Sequence, residues 1–173
     1  MQAEFSPAIN TNVSTGIRLH DHIWPFTCQY WLMGGSSPRG VTCVAHVFTA
    51  HVRADPGLVW TALTGPGQSA AYLYGLAAHS TWKPGDPVEL RLGGRVELTG
   101  RVLCVQDRER LSYLLRSGPG DPPVYLTWLL RPAPGGCAVR LEVDEVENPD
   151  SAEDAEDVWL PVLAALQLLL NPG

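Results

Sequence analysis

Three observations predict an α+β fold in which a curved antiparallel β-sheet wraps around a long C-terminal helix, with two short helices after the first strand. Residues 54–76 read as two short helical segments that follow a first alternating segment. Five further segments between residues 88 and 143 alternate apolar and polar side chains and are separated by tight turns. One broad apolar stripe at helical spacing then closes the chain, from Val158 to Leu170. A sheet that curls round a single helix leaves a cavity between the two.

Each element has a local reason. Residues 41–53 form the first strand, with Phe48, Ala50 and Val52 sharing one face. Asp55 followed by Pro56 supplies an N-cap and a proline at the first helical position, and Val59, Trp60 and Leu63 make that helix's buried stripe. Gly65-Pro66-Gly67 breaks it. Residues 70–76 form the second short helix, with Tyr72 and either Leu73 or Tyr74 turned inward. Trp82, Pro84 and Gly85 lead into the next strand, where Val88, Leu90 and Leu92 alternate with Glu89 and Arg91. Gly93-Gly94 is a hairpin turn. Val96, Leu98 and Val102 follow on one face, against Glu97, Thr99 and Arg101, and Gly100 marks a bulge or bend. Leu111, Tyr113 and Leu115 come next, then a Gly/Pro loop over 117–123, then Val124, Leu126, Trp128 and Leu130. Residues 132–136 turn the chain into Val139, Leu141 and Val143. Strands joined by such short turns must be antiparallel, since a parallel return needs a long crossover. One apolar face per strand means a sheet wet on one side only. The partner for the dry face is the last segment, whose stripe is Val158, Trp159, Val162, Leu163, Leu166, Leu169 and Leu170. Pro161 either marks its first turn or kinks a longer helix.

Composition narrows the function classes. A chain of 173 residues, 45% hydrophobic, fits one domain with a real core. Its net charge is −6, yet nine of its 18 acids lie from Glu142 onward, where no base occurs. A chain with that balance is a poor binder of phosphate backbones, which call for a basic face. The acids Glu153, Asp154, Glu156 and Asp157 suit the N-terminal turns of the last helix. Cys28, Cys43, Cys104 and Cys137 are far apart with no C-x-x-C pair, which points to a reduced, cytoplasmic protein without a zinc site. The apolar runs at 23–26 and 30–33 are too short to span a bilayer, and no basic segment precedes them as a secretory signal would require. Residues 1–40 lack a sustained period and are read as an N-terminal extension, disordered or docked through Trp24, Phe26, Tyr30 and Trp31, with Met33 a second candidate start. The domain itself is assigned to 41–173. His20 and His22 flank Asp21 with no third metal ligand nearby, and read as a solvated pair.

The chain resembles the AHSA1-like (activator of Hsp90 ATPase homologue) branch of the START/Bet v1 (SRPBCC) superfamily. Four features carry this: the A-D-P-x-x-V-W-x-A-L-T run over 54–64, the Tyr-Leu-Tyr-Gly-Leu end over 72–76, Trp82-Lys83-Pro84-Gly85, and Trp159-Leu160-Pro161-Val162-Leu163. The resemblance spans residues 44–171 and leaves the first forty unexplained. It implies the helix-grip fold with an internal cavity. Members of the superfamily bind lipids, polyketides and other apolar molecules. Some are cyclases or aromatases, and some bacterial members act in stress or antibiotic response by binding the drug or being sacrificed to it. The Hsp90 link belongs to a eukaryotic subset.

The expected site is the apolar cavity between sheet and helix, taking an apolar or aromatic small molecule with no cofactor and no metal. Trp60, Tyr72, Trp82, Leu98, Tyr113, Trp128, Trp159 and Leu163 are its candidate contacts. No catalytic set is assigned. Ser112 has no defensible His-Asp partner, and His46, His51 and His79 share no metal or nucleophile spacing. The enzymatic alternative, a cyclase or aromatase, uses the Tyr113 hydroxyl with Glu97 or Glu142, although alternation puts both carboxylates outside. A third reading is a chaperone adaptor acting through the acidic C-terminal region or the apolar extension. In a self-sacrifice role Gly100 is a cleavage candidate.

Overall fold

A computed structural model describes residues 10–11, 43–146 and 151–171 of the chain. Strands β1 (Asn10–Thr11), β2 (Cys43–Val52), β3 (Ala77–His79), β4 (Pro87–Leu92), β5 (Arg95–Gln106), β6 (Arg110–Arg116), β7 (Val124–Ala133) and β8 (Gly136–Val146) form one antiparallel sheet. Its order is β1-β2-β8-β7-β6-β5-β4-β3. Helix α1 (Pro56–Thr64) follows β2, and the long helix α2 (Ser151–Leu170) closes the chain. This is the α+β helix-grip arrangement. The expectations for residues 20–22, for Cys28 and for the bulk of the extension lie outside the described residues; β1, paired with Phe48 and Thr49, is the part of the extension that is seen.

The local chemistry explains most of these elements. Asp55 Oδ1 accepts from the backbone N–H groups of Gly57 (2.7 Å) and Leu58 (3.3 Å), and Pro56 occupies the first turn of α1. The Gly93-Gly94 hairpin has positive φ at both residues, 57° and 87°, which only glycine adopts freely. The second short helix differs from expectation. It is a single 3-10 turn at Gln68–Ala71, and the chain then reverses through Tyr74 (φ 51°) and Gly75 (φ 82°). The reversal frees Ala77–His79 to pair with β4 as a short edge strand.

Gly100 is a second difference. It pairs in regular register with Val88 and Leu115, and the irregularities fall at Leu90/Arg91 and Val102/Cys104. A Cβ at Gly100 would collide with the backbone carbonyl of Leu114, so the glycine permits close strand approach rather than a bulge. The shift after Val102 sets Cys104 opposite Ser112 on the convex face and returns Val105 to the core side, opposite Leu111.

The concave face is largely apolar: Phe48, Leu141, Leu126, Trp128, Leu111, Val102 and Val88 are at most 2% exposed, and His46 of β2, opposite Val143 and 7% exposed, is a buried polar residue on it. Val162, Leu163 and Leu166 of α2 are wholly buried against it, and full burial of one such side chain stabilises by about 1.5–3 kcal/mol. Val158 (43% exposed) and Leu169 (38%) lie at the margins of the expected stripe. Pro161 sits inside the helix rather than at its start. The far end of α2 is tied to β2, where Gln167 Nε2 donates to the His51 carbonyl (2.9 Å) and Asn171 Oδ1 accepts from Arg53 N–H (2.5 Å). That docking commits the C-terminal half of α2 to the β2 side of the sheet. Its N-terminal half is left over β4–β7.

Candidate ligand cavity

A cavity of about 190 Å³ opens under this unsupported half of α2. Its floor is Leu90, Leu98, Tyr113, Leu115, Val124 and Leu126 from β4–β7, and its roof is Val158, Trp159 and Val162 from α2. Leu73, Tyr74 and Leu76 close one side. The mouth carries Arg116, Ser117 and Pro122 from the β6–β7 loop region. The Tyr74 hydroxyl donates to the Val158 carbonyl (2.6 Å), so the reversed turn is latched to the helix beside the opening. Ser69, wholly buried, holds the base of that turn: its hydroxyl donates to the Leu76 carbonyl (3.0 Å) and accepts from Ala78 N–H (2.6 Å).

Among the described residues Tyr113 is the one buried polar side chain in the lining. Its hydroxyl accepts from Trp128 Nε1–H (3.2 Å), and among the described residues its own hydrogen has no acceptor. Burial pushes its pKa up to about 12, which the Trp128 hydrogen bond partly opposes. The group is therefore a neutral donor at any physiological pH. It is no base, and it has a hydrogen bond to give to whatever enters.

The contacts expected from sequence divide into two groups. Leu98, Tyr113 and Trp159 line the cavity. Trp128 is buried behind Tyr113, and Trp82 meets the Tyr113 ring edge-on at 5.8 Å while donating Nε1–H to the Thr64 carbonyl (2.8 Å). Tyr72 packs edge-on to Trp128 at 6.4 Å and donates to the Ala62 carbonyl (3.3 Å), and burial raises its pKa well above the usual tyrosine value. Trp60 and Leu163 belong to the surrounding core. Sequence patterning did not single out Leu73, Tyr74, Leu76, Arg116 and Val162 as lining. Alternation put Leu90, Leu115 and Leu126 on the correct face, but nothing in it marks which part of that face the helix leaves uncovered.

Neither carboxylate of the enzymatic alternative reaches the cavity. Glu97 is paired with Arg95 (2.7 Å) and Glu142 with Arg140 (2.8 Å), the latter on the convex face between the inward Leu141 and Val143. Asp144 on the same strand has a raised pKa, through burial first and then the nearby Glu142 charge, with His46 opposing. Ser112 is buried on the convex face, bonded to Thr127 Oγ1 (2.9 Å). Cys104 and Cys137 are buried cysteines. No cluster of three or more His, Cys, Asp or Glu that could hold a metal occurs among the described residues. No helix among them is long and apolar enough to cross a membrane.

Fold and site together define a helix-grip protein with a small apolar chamber beneath its C-terminal helix. Residues 53–171 match the family described as activator of Hsp90 ATPase homolog 1-like protein (AHSA1), and the chain belongs to that family. Solved structures share the fold. A protein from Chromobacterium violaceum is 20% identical with a TM-score of 0.62, covering 75% of this chain and 98% of its own. One from Mesorhizobium loti is 24% identical with a TM-score of 0.62, covering 73% and 96%. CalU16 from Micromonospora echinospora is 16% identical with a TM-score of 0.61, covering 96% and 86%. No curated protein matches the chain by sequence.

Proposed function

We propose that this protein binds a small apolar or aromatic molecule in the chamber under α2, as a carrier or sequestering protein rather than a catalyst. One observation carries the reading: a lining of apolar side chains surrounds a single buried hydroxyl, that of Tyr113, whose hydrogen no described residue accepts. Small-molecule sites have this composition, an apolar wall with a few placed polar groups. Leu98, Tyr113 and Trp159 contact the ligand directly, while Trp82, Tyr72 and Trp128 hold the Tyr113 ring in place and Trp60 and Leu163 support the walls. An apolar cavity of about 150 Å³ accepts benzene, so about 190 Å³ suits one ring with a short substituent. Drug-sized ligands occupy pockets of about 300–1,000 Å³, so a lipid or polyketide would first have to part the Tyr74 latch. The domain acts over residues 41–173 with 1–40 as an appendage, in the cytoplasm, without a cofactor or nucleic acid.

Tryptophan fluorescence tests this, because Trp159 lines the chamber and Trp82 and Trp128 touch Tyr113. Titration with substituted benzenes, naphthalenes and fatty acids should shift emission for the single-ring compounds first. Unchanged emission and an unchanged melting temperature across the whole panel would remove the binding reading.

A further inference from the structure

The mouth of the chamber carries a charge that the proposed function leaves unused. Arg116 is the only ionised side chain in the lining among the described residues. Among those residues it makes no ion pair, whereas Arg91, Arg95, Arg108 and Arg140 are each paired with an acid. Asp121, the one acid in the loop over 117–123, accepts from the Ser117 hydroxyl (2.9 Å). A guanidinium cannot be neutralised at accessible pH, and its planar fork matches a carboxylate. Tyr113 and Arg116 lie on β6 three residues apart, about 10 Å between Cα atoms at the rise of a β-strand; Tyr113 faces inward, and Arg116, the exposed last residue of the strand, borders the chamber at its rim.

Resting on the binding reading above, we propose that the ligand is a small aryl carboxylate, with its ring in the chamber, its carboxylate on Arg116 at the mouth, and any acceptor on the inner end of the ring facing Tyr113. The chamber volume of about 190 Å³ limits the ligand to one ring with a short tether. The apolar floor rejects a second charge, because burying an ion without a partner costs far more than apolar packing returns. An anion therefore enters ring first and stops with its charge in the wet mouth.

Calorimetric titration of the full chain with phenylpropanoate, phenylpropanamide and propylbenzene separates the outcomes. At low ionic strength the acid should bind about fivefold tighter than the amide, the size of an exposed ion pair. The ratio should collapse at about 1 M salt, where charges are screened beyond about 3 Å. Arg116→Gln should bring acid and amide to equal affinity and leave the amide unchanged. Arg131→Gln, with the same loss of charge at the far end of β7, should keep the ratio. Equal binding of acid and amide by the wild type, or a ratio that survives Arg116→Gln, overturns the carboxylate assignment while leaving the chamber a binding site. Absence of binding by all three probes overturns the chamber reading and this assignment with it.

Discussion

Leu98→Phe measures whether the space between sheet and helix is empty. Leu98 is half-buried in the chamber floor on β5. A void of about 190 Å³, at about 24 cal/mol per Å³, lowers stability by about 4–5 kcal/mol relative to a packed interior, an upper bound because the mouth is open to water. Phenylalanine adds three carbons to leucine, and burying them at about 0.8 kcal/mol each recovers about 2 kcal/mol. Adjusting the neighbours takes back about 1–2 kcal/mol, so the variant should lie within about 1 kcal/mol of the wild type. In a filled core the same exchange costs about 1–3 kcal/mol. Urea denaturation should thus show an unchanged or raised midpoint, and single-ring ligands should lose their fluorescence response. A loss of about 2 kcal/mol or more, the middle of the overpacking range, together with undiminished ligand response would refute the chamber. The same void sets a ceiling on affinity. A ligand that only fills it gains about 4–5 kcal/mol, a Kd of about 0.2–1 mM, and each added polar contact of about 1 kcal/mol tightens this about fivefold.

Three other outcomes follow from named contacts. Tyr113→Phe should weaken ligands bearing a ring acceptor by about 0.5–1.5 kcal/mol and leave hydrocarbons unchanged, read by calorimetry. Because the folded pKa of Tyr113 is raised to about 12 from 10, its contribution to stability is whole below pH 10 and is lost as pH climbs through 12; the phenylalanine variant should show a shallower alkaline decline in denaturant midpoint. Gly100→Ala should be among the most damaging single changes, about 4 kcal/mol or more, since its Cβ meets the Leu114 backbone rather than a movable side chain; a loss under about 1 kcal/mol would contradict the close strand approach. The pKa of Asp144 is raised in the folded state, so its charge opposes folding as pH rises through that folded pKa. Asp144→Asn should raise the melting temperature at neutral pH and change it little at about pH 3, below the usual aspartate pKa.

Much of the fold could be read from local signals because those signals act within a few residues. The Asp55-Pro56 start of α1, the Gly93-Gly94 hairpin and the alternation of Leu111, Tyr113 and Leu115 each report a backbone requirement satisfied on the spot. The second short helix was less legible. Its apolar residues Tyr72, Leu73 and Tyr74 are consecutive and carry no helical period of their own; Tyr72 and Leu73 are buried in the core, Tyr72 edge-on to Trp128, and Tyr74 is held by a bond to Val158 of α2, contacts made with residues distant in sequence. Gly100 shows the same limit. Its identity announces that a side chain is unwelcome, but whether the cause is a bulge or a neighbouring backbone depends on Leu114, which sequence cannot bring beside it.

The chamber divides the two kinds of information most clearly. Side-chain periodicity marked most of the inward residues, because a strand alternates with period two and a helix with period 3.6 whatever surrounds it; it failed at Leu92 and Val96, which are 48% and 40% exposed, and across the register shift at Val102/Cys104. It also determined that one helix must cover one sheet. Where that helix lies was decided by the tertiary structure: Gln167 and Asn171 anchor its end to β2, and this offset leaves the floor between Leu90 and Leu126 uncovered. A void is a property of the distance between packed elements. No residue encodes it by itself, and so Trp128 and Leu163 are core while Tyr113, Trp159 and Arg116 border the space.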